Sequence, residues 1–253
     1  LEEIKAIMNK QYVDLLKKFL KNKISEIDKE VQNNLKLKNF NVRSCLSLGK
    51  IDFKKEFKEL YNPSSKKVQI INVPKLNYLV IDGSGNPNTS QEYRDAIEAL
   101  FSVSYAVKFM IKKGINGLDY GVLPLEGLWW TDNIEDFSME NKEVWNWTAL
   151  IMQPEFVEKD LIDKALTEVE KKKKLSSISK IRFKCINEGL VAQIMHIGPY
   201  SEEKPTIERL HNYIEENNYS KVGKHHEIYI SDPRKASPEK LKTIIRQPIV
   251  KKL

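Results

Sequence analysis

One pattern limits the fold of this chain more than any other: the same run of elements occurs twice, about 110 residues apart. From Lys67 the pattern shifts to period two, and residues 68–73 and 78–83 on either side of Pro74-Lys75 read as two strands joined by a turn. A helix is expected over 91–112, capped by Thr89 or Ser90 and ended by Gly114. Strands follow at 118–130 and 144–152, then a helix after Pro154 to about residue 174. In the second half, 181–186, the turn Asn187-Glu188-Gly189 and 190–197 repeat the strand pair. Residues 202–217 repeat the helix, 225–230 the strand, and 243–250 supply a last strand. A β-hairpin–helix–strand unit used twice specifies an α+β domain, with a crevice between related halves that suits a ligand.

Before this region the chain is helical in pattern. Residues 1–38 contain no Pro or Gly, and Leu16, Leu20, Ile24, Ile27, Val31 and Leu35 form one stripe. Such a helix needs a partner, and a coiled-coil homodimer through 1–38 is expected. The organisation is therefore 1–48 for dimerisation and linker, and 52–253 for the α+β domain, with half-modules over about 66–152 and 178–250. A net charge of +7 on 253 residues permits acidic partners without requiring them, since 35 acidic residues are mixed with 42 basic ones. Cys45 and Cys185 lie far apart and match no metal spacing, which suits a reduced, cytoplasmic setting. No apolar run approaches the length of a membrane span, so no membrane partner is expected.

Several motifs occur in a set order: Glu126-Gly127-Leu128-Trp129-Trp130, Trp145-Asn146-Trp147, Gln153-Pro154-Glu155-Phe156, His196-Ile197-Gly198-Pro199-Tyr200, and His225-His226-Glu227-Ile228-Tyr229 before Asp232-Pro233. With the ending Ile245-Arg246-Gln247-Pro248, they resemble the GyrI-like small-molecule-binding family over roughly residues 52–250, and within it a narrower Trp-Trp subgroup. The resemblance implies two SHS2-type modules whose cleft binds organic, often cationic, aromatic compounds. It also implies that Glu227 faces that cleft. Some members of the subgroup resemble hydrolases that open the cyclopropane of DNA-alkylating natural products. Leu1–Met8 resembles the helix that closes the DNA-binding domain of MerR-type regulators, and the long helix after it resembles their dimerisation coiled coil, although the winged helix-turn-helix itself is not in this sequence. DNA contact is expected only through such a motif.

The chemistry concentrates in two places. All four tryptophans lie between 129 and 147, and aromatic faces attract cations by roughly 0.5–2 kcal/mol each. In the 225–230 strand, His225, Glu227 and Tyr229 share one face, and His226, Ile228 and Ile230 the other. The candidate ligand-binding residues are Glu227, Tyr229, Trp129, Trp130, Trp147, Tyr120, Tyr200 and Glu126, with Trp145 beside them. Burial among rings is expected to raise the Glu227 pKa. His225 and His226 point to opposite faces and cannot chelate one metal, so neither metal nor cofactor is expected. The first reading is the effector domain of a MerR-type regulator, sensing a hydrophobic or cationic aromatic small molecule. The alternative is a cyclopropanoid hydrolase with Glu227 and Tyr229 as catalytic residues.

Overall fold

The computed structural model describes residues 50–114, 118–132 and 142–252. The helix expected over 1–38, and the homodimer built on it, lie outside the described residues. Among the described residues nine strands form one sheet: β1 Gln69–Val73, β2 Leu76–Ser84, β3 Leu125–Trp130, β4 Asn146–Gln153, β5 Arg182–Ile186, β6 Gly189–Ile197, β7 Tyr219–Lys221, β8 His225–Tyr229 and β9 Lys242–Lys251. Among the described residues the α-helices are two short turns, α1 Phe53–Glu56 and α2 Lys58–Tyr61, and three longer ones, α3 Gln91–Lys113, α4 Lys159–Lys172 and α5 Lys204–Glu216. Ser90 caps α3, its hydroxyl accepting from Tyr93 N. No helix among the described residues is long and apolar enough to cross a membrane.

The strand order is β1-β6-β9-β8-β3-β4-β2-β5, with β7 added on β9 and every pairing antiparallel. Reading inward from either end gives the same sequence of elements from the two halves, so the duplication becomes a pseudo-twofold centred on the β3–β8 pair. The α+β class and the repeat are those expected, but the two leading strands of each unit do not form a hairpin. β1 pairs with β6 and β2 with β5, so the halves exchange strands. In the first half the reason lies in Pro74-Lys75, while the Asn187-Glu188 link of the second half exchanges without a proline. A tight hairpin turn wants positive φ at its first central residue, and the proline ring fixes φ negative. The chain therefore passes from one half-sheet to the other.

Paired residues share a face, which assigns the packing. Leu79, Ile81, Ala149 and Ile151 meet Ala96, Leu100 and Val103 of α3 and Ile162 and Ala165 of α4 in one core. Ala192, Ile194 and Ile245, on the same side of the sheet, meet Ile207, Leu210 and Ile214 of α5. The other side carries Tyr78, Val80, Leu150, Val191, Ile228 and Ile244 and is closed by Leu60 and Tyr61 of α2. The three longer helices thus cover one face of the sheet and the short ones the other.

Candidate functional site

The site grows from the two central strands. Glu227 of β8 stands opposite Gly127 of β3, and alternation puts Trp129, His225 and Tyr229 on the same, helix-covered face. A glycine is needed at 127: a Cβ there would sit 2.7 Å from Trp129 Nε1. Tyr93 of α3 packs on Trp129 with ring centroids 5.6 Å apart, and Trp145 lies 5.5 Å from Trp129 on another side. Tyr200 meets Tyr229 edge to face at 5.6 Å. These rings enclose the inner end of a cavity of about 1390 Å³. Its wall continues along α3, where Phe101, Tyr105 and Phe109 stack at successive i, i+4 positions. Residues from both halves line it, as a cleft at a pseudo-twofold requires.

At the inner end Glu227 is hydrogen-bonded on both oxygens. Tyr229 donates its hydroxyl to Oε2 at 2.6 Å, and His225 Nε2 lies 3.2 Å from Oε1. The expected rise in the Glu227 pKa does not occur. Burial pushes it up, but the hydrogen bond and charge of His225, the Tyr229 hydroxyl and Lys142 hold it below the usual carboxylate value. The raised group is its neighbour Glu203, 2% exposed, which burial and the Glu227 charge push up to about 9. Two adjacent buried carboxyls resist ionising together, and burial with the Glu227 charge beside it favours the neutral form of Glu203.

Glu203 was not legible as a site residue. The chain reaches it through Gly198, whose φ of 144° is open to glycine, then Pro199 and a 3-10 turn at Tyr200–Glu202. The Gly198-Pro199-Tyr200 motif was the available signal: a forced turn five residues before an acid at a helix start. Tyr93 and Lys142 were also missed; Lys142 lies over Trp145 with Nζ 5.0 Å from the ring centroid.

Of the residues singled out from sequence, Glu227, Tyr229, Trp129 and Tyr200 line the cavity, together with Trp145. Trp147 does not. It is fully buried beneath Tyr93, centroids 5.0 Å apart, in a space that Gly83 leaves for its ring. Tyr120 is buried against Phe53 and Phe156. Trp130 alternates to the opposite face from Trp129, where Lys224 Nζ lies 3.0 Å from its ring centroid.

Glu126 alternates to that opposite face too and joins a sealed network. His226 contacts Glu126 at 2.9 Å through Nε2 and Glu188 at 2.8 Å through Nδ1. Arg246 donates to Glu188 at 3.0 Å, to Gln193 and to the Leu60 carbonyl. Tyr61 donates to Glu126 at 3.1 Å. Burial lowers the tendency of His226 to carry charge, yet its two carboxylates raise its pKa to about 9. Glu188 falls to about 2: burial opposes its charge, but His226 and Arg246 overcome it. Two carboxylates thus meet two cations, and the network ties α2 to the sheet.

The GyrI-like small molecule binding domain family matches residues 66–250, and the chain belongs to that family. An uncharacterized conserved protein from Listeria innocua is similar at 40% identity and TM-score 0.74, over 79% of this chain and 100% of that one. A hydrolase from Listeria innocua is similar at 38% identity and TM-score 0.72, over 80% and 100%. The EcmrR C-terminal domain aligns at 14% identity and TM-score 0.46, over 73% and 98%. No curated protein matches.

Proposed function

We propose that this small-molecule-binding domain is a hydrolase of aromatic compounds, with the opening of an electrophilic cyclopropane by water as its reaction. The observation that carries this reading is the Glu227 carboxylate, held ionised by His225 and Tyr229 at the inner end of an aromatic cavity. A carboxylate so placed takes a proton from water as the oxygen attacks the ring carbon, and the breaking carbon–carbon bond sends its electrons into a conjugated carbonyl. Tyr229 and His225 fix the orientation of the carboxylate, and Trp129 and Tyr200 flank a flat substrate. The 38% identity to a hydrolase over that protein's full length supports the same reading.

The second reading is ligand sensing, as the effector domain of a MerR-type regulator. It is favoured by the size of the cavity and the ring-lined wall of α3, which suit many ligands. One experiment separates the two. The protein is incubated with a cyclopropane-bearing alkylator, and mass spectrometry follows gain of one water. The hydrolase reading expects turnover, reduced at least about 100-fold in Glu227→Gln. An unchanged compound at high protein concentration, with tryptophan fluorescence still quenched on mixing, leaves binding without hydrolysis.

A further inference from the structure

The inner end of the cavity carries two carboxyls, where water activation needs one. Glu203 starts α5, its carbonyl accepting from Thr206 N at 2.9 Å and Ile207 N at 3.0 Å, so its backbone is fixed. Its side chain turns inward to the cavity beside Glu227, and its Oε1 is buried with no hydrogen-bond partner. A buried carboxyl oxygen without a partner is costly to keep, which marks a position shaped for something other than stability.

The surroundings show where charge is wanted. Glu227 is served by His225 and Tyr229 on its own strand. Glu203 faces Glu227, Thr243 of β9 and the Tyr200 and Tyr229 hydroxyls, with Lys142 the cation that acts on both acids. Tyr93 completes the enclosure from α3 and feels the Glu227 charge. Paired titratable groups whose environments drive them apart are the arrangement that divides acid from base.

We propose that Glu203 is a second catalytic residue, the acid to the Glu227 base, giving its proton to the substrate atom that receives the electrons of the breaking bond. This rests on the hydrolase reading. Water loses a proton to Glu227 as the new carbon–oxygen bond forms. The cyclopropane carbon–carbon bond breaks, its electron pair moves to the conjugated carbonyl oxygen, and that oxygen takes the Glu203 proton. The product is the substrate plus one water. Glu227 now holds a proton and Glu203 none, and transfer across the pair restores the resting state. No metal, oxidant or reductant enters the balance.

The test joins a titration to a rate profile. In the free protein, carbon-13 resonance of the glutamate carboxyls should show Glu203 protonated at neutral pH and titrating on the alkaline side. With a cyclopropane-bearing alkylator, Glu203→Gln should lower kcat about 100-fold, leave KM within about twofold, and abolish the alkaline limb of the pH profile. Glu203→Asp should recover part of the rate and the limb with it, a pattern that loss of packing does not produce. A Glu203 ionised at neutral pH overturns the proposal on the wild-type protein alone. Wild-type turnover with an unaltered rate and profile in Glu203→Gln overturns it while sparing the hydrolase reading. A wild-type protein that hydrolyses nothing overturns the hydrolase reading first and the donor role with it.

Discussion

On one face of β3 and β8, Glu126 and His226 close a network in which each acid has a cation and each cation an acid. On the other face of the same strands, Glu227 has His225 and Tyr229, but Glu203 beside it is pushed toward its neutral form, with Oε1 buried and unpartnered. Both clusters are buried, and both hold two carboxyls. They differ in what covers them. α2 seals the first, and Arg246 reaches its Leu60 carbonyl. The second opens to a cavity between α3 and the residues after β8. A closed cluster with balanced charge fixes structure, while an open one with a spare proton has a group free to react. One strand alternation, repeated twice, is enough to separate the two roles.

The largest test of that contrast is to unbalance the sealed face. Arg246→Ala leaves Glu188 and Glu126 with one cation between them and frees the Leu60 and Gln193 groups. Removing one partner of a buried ionic cluster destabilises by about 3–5 kcal/mol. Urea denaturation followed by circular dichroism should show a loss of that size, with ligand quenching of tryptophan retained in the folded protein. A loss below about 1 kcal/mol would mean the network is not held by charge balance. On the open face, Gly127→Ala places a Cβ against a Trp129 ring already held by Tyr93 and Trp145. Overpacking of this kind costs about 1–3 kcal/mol. The same denaturation should show it, together with a shift in tryptophan emission that Arg246→Ala does not give.

How much of this was legible in the sequence follows from what each feature depends on. Alternation alone placed Glu227 and Tyr229 on one face and His226 on the other, because period two is a local property. The repeat placed the helices and central strands. Strand exchange is not legible where Pro74-Lys75 reads as a turn, although the fixed φ of Pro74 argues against a tight one. Trp145, just before β4, and Trp147 within it differ in fate because Tyr93 covers one ring, and the lateral position of α3 is set by packing. Trp130 neighbours Trp129 in the sequence, but adjacency in a strand means opposite faces. Glu203 read as an ordinary helix-start acid; its meaning comes from Glu227, 24 residues later in the sequence. The same neighbour explains the Glu227 correction, since desolvation acted on both acids and local hydrogen bonds decided which one ionised.

The smallest predicted effect tests whether each face holds one extra proton. His226 has an ordinary pKa of 6.5, raised to about 9 in the folded state, and Glu203 goes from 4.5 to about 9. Both groups bind protons more tightly folded than unfolded, so both lend stability at low pH that is lost as pH rises toward 9. Below 6.5 the sign is mixed, because His211, lowered to about 4, makes stability rise with pH between 4 and 6.5. The informative window is therefore pH 6.5 to about 8.5. There, wild-type stability should fall with pH at a slope approaching two protons. Glu203→Gln should remove one of them, a difference of at most about 1.4 kcal/mol per pH unit. His226→Gln should remove the other while lowering stability throughout, since it also breaks the sealed network. Urea midpoints at three pH values for the three proteins give the slopes. If Glu203→Gln leaves the wild-type slope intact, the spare proton is not on the open face, and the division of roles between the two faces fails with it.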